Sequence, residues 1–191
     1  MKNSEIFETP KGFIDVYEHS GEPIFVQVGK GEKQGYFIIP KDGISKEMHV
    51  KNLIVSKASI FMAKRMIPGA SWGAGVGYLE LGTGIGTGTL QVPQVEASTQ
   101  TALRVSLLRK AIASWTYLDG SGNPTGTETN VVQYTTTFAT TEAIGALVEM
   151  GLFGGDATAT AGTGYMFNYK TFPVWNKDGT MQLTIVWKLT F

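Results

Sequence analysis

Met181-Gln182-Leu183-Thr184-Ile185-Val186-Trp187-Lys188-Leu189-Thr190-Phe191 decides the reading of this chain. Met181, Leu183, Ile185, Trp187 and Leu189 alternate with Gln182, Thr184, Val186, Lys188 and Thr190. Successive side chains of a strand point to opposite faces, so this period places one set on a core and the other toward solvent. The stretch is expected to be a half-buried strand.

Working back from it, the same signal recurs. Tyr165–Phe172, Ala146–Phe153 and Val131–Phe138 are short runs of aromatic, β-branched and apolar residues. Turn-forming residues separate them: Lys177-Asp178-Gly179, the Gly154–Gly164 low-complexity run and Asp119–Pro124. Strands at such spacing predict an antiparallel β-sandwich. Nearer the N-terminus, Phe13–Tyr17, Ile24–Val28 and Tyr36–Ile39 read as strands, with Gly29–Gly35 as a hairpin turn and Asp42-Gly43 as another. A lone hairpin is marginal in water. Residues 1–50 are therefore read as an N-terminal β-hairpin arm that packs on the sandwich domain, residues 51–191, or on another subunit.

Met48–Ile54 reads as one further strand. From Ser56 the period becomes helical: Ile60, Met62, Ala63, Met66 and Ile67 recur at three- and four-residue steps, with Ser56 as N-cap and Pro68-Gly69 as the stop. This predicts one short, core-covering helix over residues 56–67. Tyr78–Leu81 is a strand followed by glycines that permit sharp or left-handed turns. Gln91–Gln100 is polar and irregular. Thr101–Trp115 fits both a helix and a strand in its first half, and a strand over Ala111–Leu118.

Composition narrows the function classes. Sixteen basic and sixteen acidic residues give no net charge, which disfavours nucleic-acid binding. Charged residues make up only 17%, against about 25% in an average soluble domain. The absence of cysteine excludes disulfides, thiolate metal sites and a Cys nucleophile. Residues 51–115 carry seven basic residues and two glutamates, Arg104, Arg109 and Lys110 among them, so the neutral total hides a positive middle. No secretory leader is legible at Met1–Glu5, and Leu53–Ile67 is too short and too charged to span a bilayer. The expectation is a soluble, unprocessed protein with no membrane or nucleic-acid partner.

No catalytic, cofactor or metal residue is expected. The run Gly82-Thr83-Gly84-Ile85-Gly86-Thr87-Gly88 lacks the Gly-Lys-Ser/Thr ending of a phosphate loop. Glu142 and Glu149 read as separate surface carboxylates rather than an acid–base pair. His49 reads as an ordinary strand histidine, and His19 as part of a separate polar loop. Asp119 and Asp156 stand alone in their loops, short of the acid cluster a Ca²⁺ site requires. Trp72, Trp115, Trp175 and Tyr165 suit a core or an interface, and a sugar-stacking role is the alternative.

The order of these pieces carries a resemblance. The helix at 56–67 is followed by Leu81-Gly82-Thr83-Gly84, then Leu107-Leu108-Arg109-Lys110, then Tyr134–Phe138 and Glu149-Met150-Gly151-Leu152-Phe153. Thr171-Phe172-Pro173-Val174 with Asn176-Lys177 and the Leu183–Phe191 strand complete the series. Over residues 52–191 this resembles small virion structural proteins of tailed bacteriophages, of the tail, collar/neck or capsid-associated kinds. The resemblance implies a non-enzymatic component of the virion, assembled in the host bacterial cytoplasm. It would act as a homo-oligomer against tail, connector or capsid subunits and use no cofactor. A collar, neck or tail station is the first expectation. Capsid decoration, or a carbohydrate- or receptor-binding module, is the alternative.

Overall fold

A computed structural model describes residues 11–51, 53–65, 74–85 and 91–191. The chain builds two packed antiparallel sheets, as the alternation predicts. Its strands are β1 (Lys11–His19), β2 (Ile24–Gln27), β3 (Gly35–Ile38), β4 (Ile44–Lys51), β5 (Leu53–Ile54), β6 (Ala74–Gly82) and β7 (Ser106–Ala111). They continue with β8 (Ser114–Leu118), β9 (Pro124–Thr125), β10 (Val131–Phe138), β11 (Gly145–Gly155), β12 (Tyr165–Lys177) and β13 (Gln182–Thr190). The larger sheet runs β4-β1-β13-β10-β8-β9 and the smaller β5-β12-β11-β6-β7, while β2 and β3 pair only with each other.

Leu183, Ile185, Trp187 and Leu189 of β13 are all buried in the main core, as their period requires. Ile14 and Val16 of β1 and Phe138 of β10 join them. Leu79 and Leu81 of β6, Met150 and Leu152 of β11, and Phe172 and Trp175 of β12 face them from the smaller sheet. Fully burying each large apolar side chain contributes about 1.5–3 kcal/mol.

The other face of β13 is covered too, contrary to the half-buried expectation: Gln182, Thr184 and Val186 are buried. The β2–β3 hairpin lies over it. Trp115 N donates to Lys33 O at 2.8 Å, fastening the hairpin tip to β8, and Tyr36 and Phe37 share a cleft with Tyr17, Gln133 and Val186 of the larger sheet. On this face one chain of polar side chains crosses three strands. His19 Nδ1 lies 2.7 Å from Gly21 O, and its Nε2 lies 2.7 Å from Thr184 Oγ1. A carbonyl only accepts, so Nδ1 carries a proton. Thr137 Oγ1 extends the chain to Thr184 at 2.8 Å, linking β1, β13 and β10. His19 is thus the fully buried end of β1 rather than part of a polar loop.

The N-terminal segment joins the sandwich directly. β1 pairs along its length with β13 on one side and β4 on the other. The β2–β3 hairpin that follows β1 is paired within itself.

Two expected continuous segments turn out to be corners. Met48–Ile54 divides between β4 in the larger sheet and β5 in the smaller. The Thr101–Trp115 run is loop to Val105, then β7 in the smaller sheet and β8 in the larger. At that corner Ile112 N bonds Gly77 O at 2.9 Å, while the next amide, Ala113 N, bonds Thr135 O at 3.0 Å in the opposite sheet. Pro173 sits within β12 at an interruption of its pairing with β11, between Leu147 and Glu149, where proline's missing donor is tolerated.

Helix α1 spans Ser56–Arg65, and the expected positions Met66 and Ile67 lie outside the described residues. Val55 and Ala58 are buried, but Ile60 is 50% and Met62 39% exposed. Among the described helix side chains only Ala58, in the first turn, is buried, so Ile60 and Met62 do not cover the core as expected.

Ile185→Ala should cost about 2–5 kcal/mol in urea denaturation, because it empties a fully buried position between the sheets. Phe13→Ala, at a side chain 46% exposed on neighbouring β1, should cost about 0.5 kcal/mol or less.

Candidate interaction surface

The buried charges occupy the outer face of the smaller sheet. Glu80 on β6 and Glu149 on β11 are both nearly solvent-free. Their cross-strand partners are glycines: Glu80 opposes Gly151, and Glu149 opposes Gly82. A Cβ at Gly82 would lie 2.7 Å from Glu149 Oε1 and 2.6 Å from Val105 O, so only glycine leaves room for this carboxylate. Glu149 is therefore a buried structural acceptor rather than a surface carboxylate. Its Oε1 accepts from Val105 N at 2.9 Å and Gly84 N at 3.2 Å, and its Oε2 from Arg104 N at 3.1 Å and Tyr169 Oη at 2.7 Å. Gly84 reaches it with φ +60°, the left-handed turn the glycine run permits. Burial, reinforced by Glu149, holds the Tyr169 phenol far above its ordinary pKa, so it remains a donor.

Glu80 holds Arg109 of β7. Arg109 Nε lies 2.6 Å and Nη2 2.5 Å from Glu80 Oε2. The guanidinium stacks 3.9 Å from the Phe153 ring centroid, and its Nη1 donates to Thr160 O at 3.1 Å and Thr163 O at 2.9 Å. Arg109 thus ties the 156–164 loop to the sheet. Glu96 does the same for the 91–105 segment, taking Thr171 N at 3.0 Å and Lys170 Nζ at 2.6 Å. Under these loops Val55, Leu103, Phe153, Met166 and Tyr169 form a second core.

Other charged candidates are likewise engaged. Glu142 accepts from Ala139 N at 2.8 Å and pairs with Lys110, which holds its carboxyl below the ordinary range against the opposing effect of its partial burial. Lys177, buried at the end of β12, donates to Ala139 O and Thr140 O at 3.1 Å each, and desolvation lowers its pKa. Asp119 accepts from Asn123 N at 2.8 Å and Ser121 N at 2.9 Å, which lowers its pKa and closes its own turn. Asp156 is exposed on its loop. Arg104, Arg109 and Lys110 do not act as one positive face, since Glu80 and Glu142 neutralise two of them. Trp175 is a core residue whose Nε1 donates to Glu18 Oε2 at 2.6 Å, and Tyr165 packs against the same core. Trp115 lies half-buried beside the hairpin tip, and Trp72 is outside the described residues.

Among the described residues, the edges of the two packed sheets differ in their chemistry. The edge strand β4 presents Lys46, Glu47, His49 and Lys51 to solvent, and edge β9 begins with Pro124. Both devices discourage pairing with other chains. The two-residue edge β5 adjoins β12, on which α1 packs. The remaining edge of the two packed sheets, β7, has six residues and no proline, while the separate β2–β3 ribbon carries its own exposed Ile24, Phe25 and Ile38. The two cations of β7 are drawn back onto Glu80 and Glu142 of the same chain. Exposed Leu107 and Val105 lie on or beside it, and Ile85, Val92 and Ile144 are exposed nearby. These residues share one end of the smaller sheet: Thr83 N bonds Val105 O at 3.0 Å, Ile85 bridges Val92, and Leu107 Cδ2 lies 3.7 Å from the Cβ position of Gly145.

Sequence reasoning missed the Glu149 and Glu80–Arg109 clusters. The available signal was a single acid inside each apolar strand, Leu79-Glu80-Leu81 and Val148-Glu149-Met150. Comparison with known proteins adds nothing to the geometry: no family model, no curated protein and no solved structure matches this chain significantly.

Glu149→Gln turns an amide NH₂ toward backbone donors. The expected loss is about 1–3 kcal/mol for each buried donor left unpaired, measured by thermal and urea denaturation. Tyr169→Phe, which removes one hydroxyl, should cost less. A second expectation concerns His49, whose Nδ1 lies 2.8 Å from Asp15 Oδ1. That contact raises its pKa above the ordinary 6.5. The stabilisation is therefore fully present below pH 6.5 and is lost as pH rises through the elevated folded-state value. An NMR titration should show the elevated midpoint, and Asp15→Asn should return it toward 6.5.

Proposed function

We propose that this chain is a non-enzymatic assembly subunit that associates through the β7 edge of its smaller sheet. One observation carries the reading: an edge strand that no other strand pairs among the described residues, whose own cations are neutralised within the chain, beside exposed Val105, Leu107 and Ile144. An edge strand offers a row of unpaired backbone donors and acceptors, and pairing with a second chain satisfies them. Added apolar contacts from the flanking residues make such pairing favourable in water. The first partner is a second copy of this chain, since closed homo-oligomers are the usual outcome of such surfaces.

The order of sequence pieces over residues 52–191 supports a specific setting. By that resemblance the assembly is the virion of a tailed bacteriophage, the station is the collar, neck or tail, and the further partners are tail, connector or capsid subunits. The buried acids and cations favour the same class. Glu80, Glu149, Arg109 and Lys177 are occupied in holding loops and turns.

Light scattering after size exclusion should give a mass that is a small multiple of 20.6 kDa. Leu107→Lys should shift it to the single-chain mass while leaving circular dichroism and Tm nearly unchanged. Persistent assembly in that variant would move the interface elsewhere. Peptides of this chain at fixed stoichiometry in density-purified virions would support the particle assignment, and their absence would overturn it.

A further inference from the structure

The hairpin does not seal completely against the larger sheet. Between them lies a cleft of about 630 Å³, within the range of roughly 300–1,000 Å³ usual for small-molecule sites. Asp15 and Tyr17 of β1, Gln133 of β10 and Lys188 of β13 line it from the sheet, and Tyr36 and Phe37 of β3 from the hairpin. It is separate from the β7 edge, and no catalytic or assembly role assigned above uses it.

The geometry points to a carbohydrate site here, taking an uncharged monosaccharide or disaccharide unit. Three observations carry this. The first is charge. Lys188 Nζ pairs with Asp15 Oδ2 at 3.0 Å, His49 Nδ1 holds the other Asp15 oxygen at 2.8 Å, and His49 Nε2 lies 3.7 Å from Glu47. Asp15 and Glu47 on the lining are matched by Lys41 and Lys188, so the cleft offers no net field to draw an ion.

The second is unspent hydrogen-bonding capacity. Gln133 is 9% exposed, lines the cleft, and makes no side-chain hydrogen bond among the described residues. A carboxamide supplies a donor and an acceptor side by side, the pattern that adjacent sugar hydroxyls complement. Two residues along β10, Thr135 sits on the same face, and both its hydroxyl and that of Ser114 opposite it are buried without a partner. Buried polar atoms are normally paired, but neither residue lines the cleft, so this capacity is for buried water rather than for the ligand itself.

The third is the aromatic component. Tyr17, Tyr36 and Phe37 offer ring surface for the C–H face of a pyranose. The cleft is more polar than most small-molecule sites, with Asp15, Lys41, Glu47, Gln133 and Lys188 on its lining, which suits a hydroxyl-rich ligand. Burial, with Asp15 and Glu47 adding to it, raises the Tyr17 pKa, so its hydroxyl stays protonated and able to donate.

The test is a ¹⁵N–¹H NMR titration of the full chain with glucose, galactose, mannose, N-acetylglucosamine, maltose and lactose, each to tens of millimolar. Tripeptides Ala-Lys-Ala and Ala-Glu-Ala serve as charged probes. The expected result is saturable shifts for at least one sugar, centred on residues 15–17, 36–39, 133 and 186–188, and little changed by added salt. Gln133→Leu and Tyr36→Ala should each weaken that binding at least tenfold with native spectral dispersion retained. Tyr36→Phe, the milder variant, keeps the test valid if Tyr36→Ala misfolds, and it should bind with the ring contact preserved. The proposal is overturned by any of three results. These are no saturable shift with any sugar, shifts confined to the separate groove beside Trp115 and Tyr117, or binding of a charged tripeptide in place of sugars. None of these outcomes depends on the oligomeric state, so the site and the assembly reading stand or fall separately.

Discussion

The antiparallel pairing of β1 with β13, Lys11–His19 against Gln182–Thr190, is the contact on which the other layers rest. It places β13 between β1 and β10, so that its backbone is paired on both sides and its Leu-Ile-Trp-Leu face meets the smaller sheet. It also fixes where β2 and β3 emerge, because they follow directly from the end of β1. The hairpin can then fold over only the outer face of the sheet β1 has joined. Both faces of β13 are buried for that reason, and the buried His19–Thr184–Thr137 chain follows from it. Such pairing joins residues more than 160 positions apart. The loop-closure entropy must be met before the contacts form, so slow folding is the expected kinetic consequence.

The legible part of this fold is the part written in local period. Leu183, Ile185, Trp187 and Leu189 announce a core face, and Val131–Phe138 is a strand at the residues its composition indicates. The Gly29–Gly35 turn marks the hairpin in the same way. Corners are less legible. Met48–Ile54 and Thr101–Trp115 have continuous β-like patterns, and nothing local says that a strand changes sheets within them. Their division follows from partners far away, Gly77 and Thr135 in the second case. The helix misleads for a related reason. Its period is genuine, but Ile60 and Met62, two of the residues that carry it, are exposed.

Charge was the least legible property, because its meaning depends on pairing. Glu149 is one acid among apolar residues in sequence, and its four donors come from segments 20 to 65 positions away. Arg109 and Lys110 look like a positive patch in a linear count and become neutral pairs in space. A buried ion pair seldom adds much net stability over an apolar pair, but removing one partner leaves a costly uncompensated charge. Glu80–Arg109 and Glu149 therefore specify how loops 91–105 and 156–164 lie on the sheet more than how strongly the sheet holds together.

That use of charge connects the low charge content to the assembly reading. A sandwich that places its acids and cations on its own loops has fewer of them to put on its edges. On β4 charges remain outward and guard the edge, whereas on β7 they are drawn inward and the edge is left with Leu107 beside Val105. The difference between these two edges is local chemistry rather than topology, since both are terminal strands of their sheets. A single lysine at position 107 would restore to β7 the guard that β4 already has. If association runs through β7 as proposed, it uses the smaller sheet and leaves the hairpin-covered face, with its charge-balanced polar cleft, for the ligand proposed there.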